Sequence, residues 1–259
     1  MSGPPPALIA SLVQGPSLVT EVRWFDECDT TNGAALEAAA SGAAEGLLVI
    51  ADQQRAGRGR HGRSWVAPPG TSLLFSLLLR PPPASHRLLP LLTGLVVAET
   101  VARHLPDADI ALKWPNDLLV DGRKAAGILA EAADGAVVVG VGVNVDWREV
   151  DRPEALRAAT SLAEAAGQAV DRWRVLAGLL GVFSRRYAQW LELPAAFLDG
   201  YRQRCVTIGR DVRVDPAGGE SFEAFAVDVD ADGALRLRTG DGELVTLHAG
   251  DVHHLRPTR

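Results

Sequence analysis

The sequence predicts an α+β protein made of a large domain followed by a small C-terminal barrel. Three observations carry that reading. Up to about residue 205, apolar strand-like runs alternate with segments of helical spacing. Beyond it, about five short strands separated by Gly-containing turns crowd into roughly 50 residues, the texture of a small barrel. The chain of 259 residues, 47% hydrophobic and 22% charged, is long enough for one large domain with a real core and one small one.

The elements follow in order. Residues 1–20 open with Pro4-Pro5-Pro6 and small residues, and read as a flexible N-terminal arm. Glu21–Phe25 reads as a strand. Asp29-Thr30-Thr31-Asn32 offers helix N-caps ahead of the Ala-rich run Gly33–Ala44. Gly46–Ala51 is a compact apolar strand, and a polar loop spans Asp52 to Gly70. Thr71–Arg80 resumes as a strand, and His86–His104 has helical spacing. Ile110–Lys113, Leu118–Val120, Ala125–Ala132 and Ala136–Val145 are strands, with turns at Asp121-Gly122 and Asp134-Gly135. Asp171–Trp190 is an amphipathic helix, with a shorter one at Ala195–Arg204. The barrel strands are Asp211–Val214, Phe222–Val229, Ala234–Arg238 and Glu243–Leu247, parted by Gly218-Gly219, Asp232-Gly233 and Asp241-Gly242. These limits divide the chain into 1–20, 21–205 and 206–259.

Bulk properties remove some function classes. Twenty-six basic against 32 acidic side chains leave a formal charge of −6, so no global field gathers nucleic acid. Cys28 and Cys205 match no metal spacing and read as thiols of a reducing cytoplasm. No run approaches the roughly 18 apolar residues of a membrane span. The N-terminus lacks the charged and apolar regions of a signal peptide.

The densest chemistry lies in Gln53–Trp65. Gly57, Gly59 and Gly62 formally satisfy G-x-G-x-x-G, but Pro68-Pro69-Gly70 follows where a dinucleotide fold needs a helix. What remains is a loop alternating Gly with Arg55, Arg58, Arg60 and Arg63. Glycine lets backbone approach a ligand closely, and arginine supplies forked donors for carboxylate or phosphate. A solvated loop or a nucleic-acid arm is the alternative on this segment alone.

Two further segments point the same way. In Lys113-Trp114-Pro115-Asn116-Asp117, Pro115 drives the residue before it toward extended geometry, so a strand-end loop displays Lys, Asn and Asp together. Lys124 opens an apolar strand. It is either a snorkelling surface residue or, opposite the arginine loop, a point charge for an acyl phosphate. In Val138–Val145, Gly140 and Gly142 inside a strand imply close approach of a ligand or backbone, and Asn144 suits a phosphate or ribose.

Taken together, Thr30-Thr31-Asn32, Gln54 with Gly57-Arg58-Gly59-Arg60-His61-Gly62, Lys113-Trp114-Pro115-Asn116-Asp117, Arg123-Lys124 with Gly127-Ile128-Leu129, and Gly142-Val143-Asn144 resemble the biotin–protein ligases over about residues 20 to 256. Each piece is weak; the ordered set is specific. The resemblance implies a mixed-sheet catalytic domain like that of class II aminoacyl-tRNA synthetases, with an SH3-like C-terminal barrel. It implies two steps: ATP and biotin give biotinyl-5'-adenylate, and a lysine of a biotin carboxyl carrier domain, from an acetyl/acyl-CoA or pyruvate carboxylase, takes the biotinyl group.

The same resemblance assigns residues. Arg58, Arg60 and Lys124 screen carboxylate and triphosphate beside the Mg²⁺ that ATP carries, and no metal is held by protein ligands. Thr30, Thr31, Asn32 and Gln54 fall at the biotin ureido ring, where hydroxyls and amides suit a neutral urea. Gly57, Gly59 and Gly127 line the biotin and adenylate site. Lys113, Trp114, Asn116 and Asp117 form the surface for the second step, with Asp117 orienting the incoming ammonium. Asn144 lies near the nucleotide. His61 departs from the family's commoner basic residue there.

With only about 20 residues before the first strand, a helix-turn-helix domain does not fit. The sequence therefore predicts a cytoplasmic ligase that binds no DNA and no membrane, as monomer or homodimer. A lipoate or octanoate ligase or transferase, sharing the fold, is the alternative, and a nucleic-acid-binding module is the non-enzyme alternative. The arginine loop is expected to be disordered without ligand, because no acidic partner stands nearby in the sequence.

Overall fold

A computed structural model describes residues 3–133, 135–216 and 219–255. The first sheet has seven strands: β1 (Glu21–Cys28), β2 (Leu47–Gln54), β3 (Ser72–Leu79), β4 (Ile110–Lys113), β5 (Asp117–Val120), β6 (Arg123–Ala133) and β7 (Ala136–Asn144). Their spatial order is β1-β2-β3-β7-β6-β5-β4. β1 and β2 run parallel and every other pair is antiparallel, so the sheet is mixed.

Helices cover the two faces unequally. α3 (Leu89–His104) and α5 (Arg172–Glu192) pack together over one face, with α6 (Leu198–Arg204) beside them. That face takes Leu48 and Ile50 of β2, Leu73, Phe75, Leu77 and Leu79 of β3, and Val137, Val139, Val141 and Val143 of β7. Each large apolar side chain so buried contributes about 1.5–3 kcal/mol. On the other face lies α2 (Thr31–Ala40), which packs on Leu47, Val49, Leu78, Ala136 and Val138. Along β7 the residues on that face run Ala136, Val138, Gly140, Gly142. Gly140 lies under Asn32 in the first turn of α2, and Gly142 falls beyond the helix under Trp65, where the sheet becomes the floor of a cleft.

The second sheet comprises β8 (Asp211–Pro216), β9 (Phe222–Val229), β10 (Leu235–Thr239), β11 (Leu244–Leu247) and β12 (Gly250–His254), all antiparallel, in the order β11-β10-β9-β8-β12. Its packing joins the main core through Val212, Val214, Leu235 and Leu237. Trp114 fastens the two parts together. Its indole Nε1 donates to Gly233 O at 3.0 Å, and its backbone N to Thr207 Oγ1 at 3.1 Å.

Several expectations are corrected. The loose arm over residues 1–20 contains α1 (Pro6–Gln14), with Pro at its first turn and Leu12 buried against the body. Leu18 N donates to Ser184 Oγ of α5 at 2.9 Å, which ties down the segment that follows. α4 (Leu162–Ala166), closed by a Ser161/Glu164 capping box, was not anticipated. The fifth barrel strand, unplaced from sequence, is β12. Asp134 and Gly218 of two expected turns, and the last residues of the expected barrel segment 206–259, lie outside the described residues. No helix among those described is long and apolar enough to cross a membrane.

Candidate active site

The cleft lies on the uncovered half of the α2 face, roofed by the arginine loop and closed at one end by β12. Of the residues singled out from sequence, Thr30, Thr31, Asn32, Gln54, Arg58, Gly59, Arg60, Lys113, Trp114, Asn116, Asp117, Lys124 and Gly127 line it. Two do not. Gly57 is a hairpin position: a Cβ there would stand 2.4 Å from Trp65 O. Asn144 is buried, and its Nδ2 donates to Thr160 O at 2.9 Å, securing the loop after β7.

The floor is set by glycine. A Cβ on Gly142 would come within 2.5 Å of the Trp65 indole, and one on Gly127 within 2.8 Å. The indole therefore rests directly on β6 and β7, with Lys124 Nζ 5.5 Å from its ring centre, a cation–π distance. The buried indole Nε1 finds no acceptor among the described residues.

One wall is a polar network at the start of α2. Thr30 caps the helix, its Oγ1 accepting from Gly33 N at 2.8 Å. Gln54 Oε1 accepts from Thr31 N at 2.7 Å and from Thr31 Oγ1 at 3.1 Å. The buried Ser76 hydroxyl lies 2.7 Å from Thr31 Oγ1 and 2.6 Å from Asn32 Oδ1.

Cations from three separate segments line the rest. The loop is a tight hairpin, not an open strap: Trp65 N donates to Gly57 O, Gly59 N to Arg63 O, and His61 and Gly62 take left-handed conformations. Its tip is held by the second sheet. Arg63 pairs with Asp251, His61 Nε2 lies 3.9 Å from the same carboxylate, and Arg60 donates to Gly250 O at 3.3 Å. The premise for expecting disorder is thus corrected. Acidic partners exist outside the loop: Glu27 and Asp29 for Arg55, and Asp251, 188 positions along the chain, for Arg63. Burial lowers the Arg60 pKa, Asp251 opposing; the guanidinium stays charged and half-desolvated, poised for an anion.

The β4–β5 hairpin supplies the remaining groups. Lys113 pairs across it with Asp117, and the Trp114–Pro115 peptide at its tip is cis. Burial also lowers the Lys113 pKa, with Asp117 countering. Asn116 Nδ2 donates to Ile128 O at 2.8 Å, pinning the hairpin to β6. Lys124 Nζ stands 2.6 Å from Asp117 Oδ1, a close ion pair without the angle of a directed hydrogen bond. The sequence reading placed Lys124 with adenylation and Asp117 with transfer, on different surfaces. The structure brings them into direct contact in one cleft.

Sequence reasoning assigned no role to Trp65, Asp251 or His253, and none to Arg63 beyond the shared charge of the arginine loop; all four line the cleft. Trp65 stood within the glycine-arginine segment and Gly142 signalled a close approach, so their pairing was partly legible. Nothing local marked Asp251. Among the described residues no cluster of three His, Cys, Asp or Glu side chains forms a metal site.

Comparison with known proteins gives a consistent result. Residues 25–147 match the model of the biotin/lipoate A/B protein ligase family, and residues 207–255 that of the biotin protein ligase C-terminal domain. The chain is 43% identical over 235 residues to the biotin–[acetyl-CoA-carboxylase] ligase of Mycobacterium tuberculosis, covering 88% of this chain and 86% of the relative. It is 34% identical to a bifunctional ligase/repressor of Bacillus subtilis, covering 88% of this chain and 72% of the relative. The structure of the Aquifex aeolicus biotin protein ligase in complex with biotin and ATP superposes with a TM-score of 0.78 at 29% identity, covering 92% of this chain and 99% of that one.

Proposed function

This chain belongs to the biotin/lipoate A/B protein ligase family, and on that premise we propose that it makes biotinyl-5'-adenylate from biotin and ATP and passes the biotinyl group to a lysine of a carrier domain. One observation carries the reading. Arg58 and Arg60 of the loop after β2, Lys113 of β4 and Lys124 of β6 converge on a cleft whose other wall is a network of hydroxyls and amides. A site for a neutral urea thus adjoins a site for anions.

In the first step an oxygen of the biotin carboxylate attacks the α-phosphorus of ATP. The bond from that phosphorus to the β-phosphate bridge breaks, and pyrophosphate leaves. Both reactants are anions, so cations fixed beforehand lower the barrier by holding them together and neutralising charge as it shifts. Arg58, Arg60 and Lys124 take that part. The Mg²⁺ that accompanies ATP would be held by the nucleotide and would add screening of the phosphates beside Arg58, Arg60 and Lys124. The tied-down glycine-arginine hairpin and the Trp65 indole shield the anhydride from water.

In the second step the carrier lysine amine attacks the acyl carbon, the bond to the phosphate oxygen breaks, and AMP departs. Asp117 orients the incoming ammonium and receives its proton. For that, Lys124 exchanges the Asp117 carboxylate for the phosphate. The reading divides the chain into a biotin- and ATP-binding unit over 21–205 and a C-terminal sheet over 206–259 that anchors the loop. Carriers from acetyl/acyl-CoA or pyruvate carboxylases suit it, in the cytoplasm.

Titration calorimetry with biotin and with lipoate tests the substrate. Biotin is expected to bind, and biotin with ATP to release pyrophosphate. Binding of lipoate with no binding of biotin would turn the reading toward a lipoate ligase. Salt-sensitive retention on DNA without pyrophosphate release would turn it toward a nucleic-acid module.

A further inference from the structure

We infer that Glu131, on β6 outside the group singled out above, is a positioning residue that fixes which way the Asn32 carboxamide faces and thereby sets the polarity of the urea-binding wall. This rests on the biotin reading.

Asn32 is 5% exposed and lies flat against β7, where a Cβ on Gly140 would stand 2.2 Å from its Oδ1. Its Nδ2 has two hydrogens. One goes to Glu131 Oε2 at 2.6 Å, and the other to Leu129 O at 3.3 Å. Its Oδ1 takes the proton of the fully buried Ser76 hydroxyl. Rotating the amide by half a turn would set Oδ1 against a carboxylate and a carbonyl, three acceptors with no proton among them. It would also set Nδ2 against Ser76. A carboxylate has only acceptor character, so Glu131 permits one orientation.

The consequence runs outward. With both Nδ2 hydrogens spent, the atom of Asn32 with capacity left is the acceptor Oδ1. With Ser76 committed to Asn32, the Thr31 hydroxyl donates to Ser76 Oγ or to Gln54 Oε1. Gln54 Oε1 already accepts from Thr31 N, so the group Gln54 has left is its Nε2 donor. The wall therefore presents an acceptor from Asn32 and a donor from Gln54, each of fixed sense. A urea needs this pairing, with N–H groups beside a carbonyl. An unpinned amide would offer either sense and select less well, because a mismatched buried pair leaves both partners unsatisfied.

The test is a double-mutant cycle read by biotin calorimetry, with the KM for ATP at saturating biotin as the control that the fold persists. Glu131→Gln keeps the size and a hydrogen-bonding group but removes the obligatory acceptor. It is expected to weaken biotin binding by about tenfold, the loss of one charge-assisted, orienting contact, while the KM for ATP holds. If Glu131 acts through Asn32, the pair Asn32→Ala with Glu131→Gln binds no worse than Asn32→Ala alone. Wild-type affinity in Glu131→Gln would overturn the inference, and so would losses that multiply in the double variant. Failure of the wild-type chain to bind biotin at all would instead overturn the functional reading, and this inference with it.

Discussion

At the scale of single residues, the site is made by side chains that are missing. Gly127, Gly140 and Gly142 leave room on β6 and β7 for Trp65 and Asn32, and each would bring a Cβ into hard contact with one of them. The two cases differ in kind. Trp65 hangs from a loop, whereas Asn32 sits in a helix turn with its amide held at both nitrogen and oxygen. Gly140→Ala therefore has nowhere to push its methyl. It is expected to destabilise the protein by about 1–3 kcal/mol, as overpacking does, and to lower the melting temperature measured by circular dichroism. An unchanged melting temperature would show that the Asn32 network yields easily. Gly140 and Gly142 were legible as close approaches, because Gly inside an apolar strand admits backbone or ligand; Gly127 was marked only by the family resemblance. Their partners were not. Trp65 reaches them across more than 60 positions of sequence, and Glu131 reads as one more polar residue near the end of a strand.

At the scale of elements, pattern and capping served where they were local. β4 and β9 run over the expected residues, and Asp171 caps α5 by accepting from Trp173 N and Arg174 N. Three elements escaped. α1 begins at Pro6, and a proline run reads as loose chain although Pro suits the first helical turn. α4 carried a readable capping box at Ser161 and Glu164, and its five residues are too short for a periodic signal. β12, five residues with two histidines, has no apolar alternation and exists because β8 pairs with it. Within β12, His254 carries a consequence. Its Nε2 lies 3.1 Å from Thr207 Oγ1, the same hydroxyl that accepts from Trp114 N. Burial, reinforced by Lys113 and Arg210, pushes its pKa down to about 4. Between the ordinary histidine value of about 6.5 and that lowered one, the unfolded chain binds a proton that the folded chain refuses. Stability is then fully present above this window and falls as pH falls through it. Thermal melts from pH 7 to pH 4 are expected to show a shallower decline for His254→Gln than for wild type, across the window from about pH 6.5 to about 4. Superimposable profiles would remove His254 as the cause.

At the scale of the whole molecule, the second sheet completes the cleft of the first. Gly250 and Asp251 hold the tip of the arginine hairpin through Arg60 and Arg63, and Trp114 joins the β4–β5 hairpin to Gly233. A sequence shows which segments are charged, but not which of them meet. The three cationic segments and the family they resemble were readable, while their closure by β12 and the contact between Lys124 and Asp117 needed the fold. On the proposed function, that contact puts both half-reactions in one cleft, with the same lysine serving the phosphate and releasing the carboxylate. The most direct measurement is transfer of labelled biotin from the purified chain to an isolated carrier domain in the presence of ATP and magnesium. Wild type is expected to label the carrier lysine, and Lys124→Ala and Arg60→Ala each to lose about 10²–10³ in rate, the scale of removing one preorganised charge-stabilising donor. Full activity in both variants, or no transfer by the wild-type chain, would contradict the account.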